Sequence, residues 1–363
     1  MSRMRSFGVL AVATALVFGL PATASASRHA DDFAARQVNL VSDVAGMAPL
    51  TDPDLVNPWG LSLTATSPLW VSNAGSRTST LYTSAPGSTT ASKNAAVRTT
   101  FPALGEPTGQ VANTGTGFVL TKGAVSGPAR FLFVTLEGQI TAWNPQVDGV
   151  MADVEVKAAV RGAVYTGVAL ATATTGVQLY AADFAKKSID VFDATFKPVP
   201  TTFTQFRDFL VPNDFSPFNV QNLGGNLFVA FAKVDPRTDD SVAGAGLGFV
   251  DEFSPDGRLI ARIAARQSLN APWGLAMAPA SWGALAGALL IGNFGDGRIN
   301  IVLPNSHIIS GLLRDSANGL PLRIPGLWAL LAGNPASAGA DSLWFSAGID
   351  NENHGLLGVL SKP

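Results

Sequence analysis

The sequence contains no cysteine, and only 14% of its residues are charged. The absence of cysteine excludes disulfides, thioester lipid anchors and thiolate metal sites. The formal net charge is −2 and no basic run occurs, so the electrostatic footprint of a nucleic-acid-binding protein is missing. The same neutrality argues against docking on anionic lipid. Hydrophobic residues make up 47% of the chain, which favours a single large core over disorder.

Long apolar runs are also absent, except near the amino terminus. Arg3 and Arg5 precede an apolar run over residues 7–20, and small residues follow up to Ala26. This pattern predicts a signal peptide over residues 1–26, cleaved after Ala26 or alternatively after Ala24. An uncleaved anchor is less favoured because the run is shorter than the ~20 residues that span a bilayer. We therefore expect residues 27–363 to be secreted (extracellular or periplasmic) as a soluble monomer, without membrane insertion after cleavage.

What the sequence does contain is a long repeat. Residues 57–62 and 69–73 are nearly repeated at residues 270–275 and 289–293. Between and around them, short apolar segments recur about every 55 residues, each followed by a segment in which apolar and polar residues alternate. The six apolar segments start at or near residues 69, 132, 179, 227, 289 and 343. Self-similarity at such a period indicates a repeat architecture.

Repeats of this size, built from short strands, predict an all-β fold with one six-bladed β-propeller. The sixth copy reaches the end of the sequence before a fourth strand can form, whereas residues 37–42 form a strand without a blade of their own. We therefore predict that this N-terminal strand pairs with the last blade and closes the ring, which protects sheet edges. A β-solenoid would require much shorter repeats.

The repeat also carries a resemblance. Residues 52–60, 127–131, 217–223 and 292–297 are similar to those of a family of uncharacterised exported bacterial proteins, predicted to be six-bladed propellers. The blades more distantly resemble NHL-type proteins, gluconolactonases and streptogramin lyase. The close family implies the fold and no established activity. The gluconolactonase resemblance implies a divalent metal in the channel, held partly by an acidic residue early in the first blade. The corresponding region here has Asn57 and Trp59, and no carboxylate.

Candidate ligand-binding residues follow from the topology of a propeller. The innermost strands begin on the face to which the turns between second and third strands return, and ligands usually bind there. The polar side chains expected on this face as ligand-binding residues are Asn57, Glu106, Glu137, Asp183, Asn219, Asn270, Asn293, Asp296 and Asp350. Tyr165 begins an innermost strand on the same face. Such oxygen ligands suit calcium or the hydroxyl groups of a sugar or lactone. The alternative is turn chemistry, since Asn and Asp are favoured in tight turns.

Three further features have two interpretations each. Trp59, Trp273 and Trp328 recur at the innermost strand, either as wedges packed between neighbouring blades or as an aromatic rim for a ligand. His354 ends a polar turn over residues 350–354 and is either a general acid–base or part of a solvated turn. The loop over residues 233–242 is longer and more charged than its equivalents, which is typical of a functional insertion.

Two functions remain open at this point. The first is a binding or interaction module for a small ligand, glycan or protein. The alternative is a metal-assisted hydrolase or lyase resembling the gluconolactonase group, with carboxylates such as Glu106 or Asp183 and a divalent cation such as calcium. The fold does not separate them, because propellers carry many unrelated functions.

Overall fold

The computed structural model describes residues 33–101, 105–149 and 154–363. The predicted signal peptide over residues 1–26 lies outside these ranges. Within them the only helical element is a 3₁₀ turn at Gly283–Leu285. None of the described segments forms a helix of the length and apolarity that a membrane span requires.

The described strands form six antiparallel blades around a common axis. Strands β1 (Ala34–Ser42) and β2 (Leu50–Thr51) come first. Blade one contains β3 (Pro58–Ser62), β4 (Leu69–Asn73), β5 (Thr78–Thr83) and β6 (Ser92–Thr100). Blade two contains β7 (Pro107–Ala112), β10 (Phe131–Thr135), β11 (Gln139–Trp143) and β12 (Glu155–Ala159), with the hairpin of β8 (Val119–Lys122) and β9 (Val125–Pro128) inserted. Blade three contains β13 (Tyr165–Ala173), β14 (Gly176–Asp183), β15 (Ser188–Asp193) and β16 (Pro198–Val199).

The other three blades complete the ring. Blade four contains β17 (Phe215–Leu223), β18 (Asn226–Lys233), β19 (Gly248–Phe253) and β20 (Leu259–Ala265). Blade five contains β21 (Pro272–Met277), β22 (Leu289–Asn293), β23 (Ile299–Val302) and β24 (Gly311–Leu312). Blade six contains β26 (Leu327–Ala332), β27 (Ser342–Ile349), β28 (His354–Ser361) and β1, and the short β25 (Arg314–Asp315) also pairs with β1. The six predicted apolar segments fall in the second strand of each blade.

The ring closes through the N-terminal strand, as the sequence predicted. β1 pairs antiparallel with β28, with Val38 opposite Val359. On its other side β1 pairs with two short parallel strands, through Ala35 to Asp315 of β25 and through Val41 to Leu50 of β2. These partners cover part of an edge that would otherwise expose unpaired backbone groups. The prediction of an all-β, six-bladed propeller closed in this way is confirmed.

The core lies in layers between adjacent blades. Trp70 of β4 stacks on Phe131 of β10, with ring centroids 4.3 Å apart. Strands near the axis leave less room, because neighbouring inner strands converge. At Gly60 a Cβ atom would lie 2.5 Å from the carbonyl oxygen of Thr108, and at Gly274 it would lie 2.7 Å from that of Trp328. Glycine at these positions therefore lets adjacent blades approach at the axis.

We predict that Gly60→Ala destabilises the ring by about 2 kcal/mol, because the new methyl group meets backbone that cannot move aside cheaply. Urea unfolding of purified protein measures the difference. Gly311→Ala is the matched control, since its Cβ would meet only the Phe33 ring at 3.4 Å. Equal stability of the two variants would contradict the proposed close approach of blades one and two.

Candidate ligand site at the channel mouth

Aromatic rings fill the axis where the innermost strands begin. Trp59 stacks on Trp328 at a centroid distance of 3.6 Å, and Trp328 stacks on Phe294 at 3.9 Å. Trp273 packs edge-on against Trp59 and Trp328, at 6.2 and 5.8 Å, and Phe218 packs similarly against both. We call these five side chains the aromatic cluster. The tryptophans thus contact one another on the axis, whereas the packing interpretation placed each between two neighbouring blades.

Below the aromatic cluster the channel is almost closed. Gly60, Gln110, Val168 and Gln221 are among the residues around a cavity of about 10 Å³, which is roughly the room for one water molecule. A shallower cavity of about 150 Å³ follows, lined by residues that include Ala112 and Leu331 near the ends of their strands. At the end of the channel where the innermost strands begin, a ligand larger than a water molecule must therefore bind above the aromatic cluster.

A cavity of about 300 Å³ lies at this end of the axis, and we call it the mouth cavity. Its lining residues are Ala243, Phe294, Gly295, Asp296, Arg323, Pro325, Gly326, Gly348, Asp350, Asn351 and Glu352. Phe294 is half-buried, so the last ring of the stack is part of the cavity wall. Polar groups converge around this ring, which is the usual composition of a small-molecule site.

Glu352 reaches the mouth cavity from an unusual turn. Asp350, Asn351 and Glu352 all have left-handed backbone, with φ of 52, 52 and 68°. Such residues seldom follow one another in this conformation, which Asp and Asn tolerate better than Glu does. Backbone strain of this kind clusters at functional sites, where the surrounding structure holds it in place. The turn connects β27 to β28 in blade six and presents the Glu352 carboxylate toward the axis.

A hydrogen-bonded chain links that carboxylate to the aromatic cluster. Asn57, itself left-handed with φ of 46°, donates from Nδ2 to Glu352 Oε2 at 2.8 Å. The Trp328 Nε1–H donates to Asn57 Oδ1 at 3.0 Å. Asn57 is only 9% exposed; its hydrogen bond with Trp328 is buried and that with Glu352 is partly buried. The amide therefore fixes the carboxylate relative to the stacked rings.

The electrostatic surroundings of Glu352 favour its protonated form. Burial raises the pKa of Glu352, the hydrogen bond from Asn57 lowers it, and the charges of Asp240 and Glu106 raise it further, so that the net shift is upward. A carboxyl group that keeps its proton more readily can donate a hydrogen bond as well as accept one. The mouth cavity thus contains a carboxyl group whose pKa lies above its ordinary value.

Several of the sequence-predicted site residues are instead committed to turns and blade contacts. Asn293 accepts from the Asn270 N–H at 3.1 Å and donates to Asp296 Oδ1 at 3.0 Å. Asn270 Oδ1 accepts from the Gly244 N–H. Asn219 donates to the carbonyl oxygen of Trp273 at 2.8 Å. All three asparagines are less than one-tenth exposed. Except for the bond to Asp296, these hydrogen bonds join segments 23 to 54 residues apart around the axis, rather than lying within the turn of each asparagine.

Asp183 and Tyr165 are likewise used inside the fold. The Asp183 carboxylate is fully buried and accepts from the backbone N–H groups of Val164 and Lys186. Burial raises its pKa, although those two hydrogen bonds oppose the shift. The Tyr165 hydroxyl donates to Asp190 at 2.8 Å. Neither side chain lines the mouth cavity.

The remaining predicted residues lie nearer to solvent. Glu137 accepts from the Glu106 N–H at 2.9 Å, and the Glu106 carboxylate pairs with Arg77 at 3.4 Å. Asp296 and Asp350 both line the mouth cavity. Asn57 and Asn293 do not line it, but each donates a hydrogen bond to a lining carboxylate, of Glu352 and Asp296 respectively.

His354 is attached to the scaffold rather than to the mouth cavity. Its Nδ1 lies 2.7 Å from Asp43 Oδ2, and that hydrogen bond raises the pKa of His354. The histidine opens β28, next to the turn that carries Glu352. It is placed to fasten the base of this turn to the segment after β1.

Three residues of the mouth cavity were missed in the sequence: Phe294, Arg323 and Glu352. Glu352 falls within the polar turn that drew attention to His354, and Phe294 directly follows Asn293. Arg323 lies in the connection before blade six, and its Nε donates to the carbonyl oxygen of Asp296 at 3.1 Å. No sequence pattern marks Arg323, because its position depends on how blades five and six approach.

The inserted loop borders the mouth cavity and is internally fixed. The Asp235 N–H donates to the carbonyl oxygen of Asp240, and the Val242 N–H donates to that of Lys233, both at 2.8 Å. Ala243 at its end lines the mouth cavity. The charge of Asp240 is one of those acting on Glu352. The insertion therefore borders the mouth cavity as a preformed, internally hydrogen-bonded loop.

Among residues 33–101, 105–149 and 154–363, no group of three or more His, Asp or Glu side chains is spaced to hold a metal ion. The carboxylates named above are distributed around the ring, and Asp183, Glu106 and Asp296 each have polar partners. The expected calcium site accordingly has no side-chain cluster to which it can be assigned in these ranges.

Two curated proteins of Acanthamoeba polyphaga mimivirus, both uncharacterised, resemble the chain along most of its length. One is 33% identical over 331 residues, which is 89% of this chain and 79% of the viral protein. The other is 34% identical over 332 residues, which is 89% of this chain and 84% of its own length. The chain belongs to the family of these mimivirus proteins. The sequence resemblance had pointed to bacterial relatives, whereas the mimivirus family is viral. None of the established protein-family profiles matches.

Solved structures similar to this member of the mimivirus family share its fold. A protein of unknown function from Bacteroides thetaiotaomicron has a TM-score of 0.53 at 11% identity, covering 90% of this chain and 76% of its own. An α-L-arabinofuranosidase from Fusarium graminearum, solved with an iminosugar inhibitor, has a TM-score of 0.50 at 10% identity, covering 90% and 97%. A streptogramin B lyase scores 0.49 at 12% identity, covering 90% and 97%. Identities this low show the fold alone.

Proposed function

We propose that this protein is an exported binding module that holds a polyhydroxylated ligand, a glycan or a sugar-sized molecule, in the mouth cavity. The observation that carries the proposal is a half-buried ring, Phe294, surrounded by carboxylate, amide and guanidinium groups. A sugar has an apolar face that can pack on such a ring. Its hydroxyl groups can donate to Asp296 and Asp350, accept from Arg323, and do either with Glu352.

The charges that line the mouth cavity also limit which ligands can bind there. The described lining includes three carboxylates, of Asp296, Asp350 and Glu352, and one guanidinium, of Arg323. An anionic ligand would meet net repulsion, so a neutral or amino sugar fits better. The volume of about 300 Å³ lies at the low end of typical ligand pockets, which suits a single ring or the end of a chain.

The metal-assisted alternative gains less support from the geometry. The aromatic cluster fills the part of the channel at the mouth, and the cavity beneath it measures only about 10 Å³. The Asp183 carboxylate accepts a hydrogen bond from the Val164 N–H, and the Glu106 carboxylate pairs with Arg77. A secreted binding protein needs neither a metal nor a nucleophile, only a preformed polar surface.

We predict that Phe294→Ala weakens glycan binding at least tenfold, because the ligand loses its stacking surface. A glycan array covering neutral, amino and acidic sugars identifies a binder, and calorimetry then measures its Kd. Glu352→Gln keeps the shape of the turn and should weaken binding several-fold. Asp341→Asn is the control, since this exposed carboxylate lies just before β27, on the opposite face.

Melting temperatures of all variants show whether each ring is intact, and Phe294→Leu replaces the alanine variant if that one unfolds. Binding that is unchanged in both Phe294 variants, or strongest toward acidic sugars, would contradict the proposal. An array without any binder would do the same.

A further inference from the structure

The connection between blades three and four forms a strap over residues 200–211. The Phe206 N–H donates to the carbonyl oxygen of Gly257 at 2.8 Å, and Gln205 Nε2 donates to that of Asp256 at 2.9 Å. The Phe206 ring is 7% exposed and packs against Phe253 at 6.0 Å. Asp208 also binds Arg262 of β20. The strap is therefore anchored across blade four at several points.

A cavity of about 500 Å³ lies between the strap and the blades. It exceeds the mouth cavity of about 300 Å³ and shares none of its lining residues. Its apolar lining residues are Ile189, Phe203, Phe206, Val211, Pro212, Phe215, Pro217 and Phe231. These side chains come from blades three and four as well as from the strap. A volume of this size accommodates a ligand with a substantial apolar body.

The charged lining residues have the opposite sign to those of the mouth cavity. Lys186, Lys187 and Arg207 supply three cations, and Asp208 is the one carboxylate among the described lining residues. Lys186 Nζ lies 3.7 Å from Asp183 Oδ2, and Lys187 Nζ donates to the carbonyl oxygen of Asn213 at 2.8 Å. The Asp208 charge is already matched by Arg262. The Arg207 guanidinium lies 4.4 Å from the centroid of the Phe203 ring. No carboxylate in the described ranges pairs with Arg207, so a cation at this cavity is available to a ligand.

We infer that this cavity is a second ligand site, for a small amphipathic anion whose apolar body enters beneath the strap and whose head group meets Arg207 and the two lysines. The inference does not depend on the proposed function of the mouth cavity, because the two cavities have different residues and opposite charge. The apolar lining residues would hold the body of the ligand, and the cations would select the anion.

Fluorescence titration with 8-anilinonaphthalene-1-sulfonate tests the inference on the mature protein. This dye combines an aromatic body with a sulfonate, and its neutral analogue N-phenyl-1-naphthylamine lacks the charge. We expect saturable binding of the sulfonate, at least fivefold weaker binding by Arg207→Gln, and no effect of that substitution on the neutral dye. Arg237→Gln is the control, since Arg237 is exposed and pairs only with Asp235 in the inserted loop.

A second variant locates the dye. Val211→Trp fills the cavity without changing its charge and should abolish binding, while the melting temperature shows that the ring is intact. If Val211→Trp binds the dye as well as the natural protein does, the dye sits on the exposed rings of the strap and the inference is overturned. Equal affinity of Arg207→Gln and the natural protein, or no saturable binding at all, would overturn it too.

Discussion

Replacing Trp328 by alanine is expected to lower the free energy of unfolding by about 4 kcal/mol, in the range measured for removing large buried aromatic residues. Trp328 is 1% exposed and stacks between Trp59 and Phe294. Its removal leaves a cavity at the point where the blades converge. It also leaves Asn57 Oδ1 without its donor, so Glu352 should lose its fixed position. Urea unfolding followed by tryptophan fluorescence or circular dichroism measures the effect.

Two controls separate these contributions. Trp328→Phe retains a ring in the stack but no N–H group, and it should cost about half as much as the alanine variant, through partial volume loss and the orphaned amide. Phe203→Ala removes an aromatic ring that is 71% exposed and should change stability by less than about 0.5 kcal/mol. If Trp328→Ala were as mild as Phe203→Ala, the aromatic cluster would not be the centre of the ring.

Asp251→Asn is expected to stabilise the protein increasingly as pH rises. Asp251 is fully buried, and its Oδ1 lies 3.4 Å from Arg262 Nε. Burial and the charge of Asp208 raise the pKa of Asp251 to about 7, against the attraction of Arg262. The folded protein thus binds this proton more tightly than the unfolded chain does. The stability due to the protonated group is complete below about pH 4 and is lost as pH rises toward 7.

Between pH 5 and pH 8 this one carboxyl group should cost the natural protein about 2 kcal/mol relative to the asparagine variant, which cannot ionise. Urea unfolding of both proteins at the two pH values measures the change, and the comparison cancels the titration of other groups. Asp239→Asn is the matched control, because Asp239 is exposed and already left-handed. A stability difference that is independent of pH would refute the raised pKa.

The fold was predictable because a propeller repeats one local pattern. Each second strand contains an apolar run that starts with Leu, and the strand over residues 37–42 precedes the first blade without belonging to it. Local sequence patterns were therefore sufficient to predict both the six blades and the closure of the ring. The contacts of the tryptophans were harder to predict. Their repeated position indicates that they are buried, but it does not show that three of them pack against one another at the axis. That meeting depends on the inward direction of strands from blades one, five and six.

The candidate site was only partly predictable. Topology placed Asn57, Asp296 and Asp350 on the correct face. In the structure Asp296 and Asp350 line the mouth cavity, and Asn57 donates a hydrogen bond to Glu352 of its lining. In the structure the side-chain amides of Asn219, Asn270 and Asn293 form hydrogen bonds with backbone groups. The sequence does not reveal these bonds, because the partners lie on distant or oppositely running segments. The position of Glu352 could not be predicted, because three successive residues other than glycine in the left-handed conformation are not expected from residue propensities.

The closure of blade six depends on the two ends of the described chain, which are synthesised at different times. Ser42 Oγ donates to the carbonyl oxygen of Gly355, a partner 313 residues away, and β1 pairs with β28 along the same seam. When the chain is made from its amino end, β1 emerges first and its partner emerges last. Until β28 has been made, the edge of β1 that pairs with it stays without that partner, as in any long-range strand pairing. The ring therefore cannot close before β28 has been made, and a chain shortened before β28 lacks the antiparallel partner of β1.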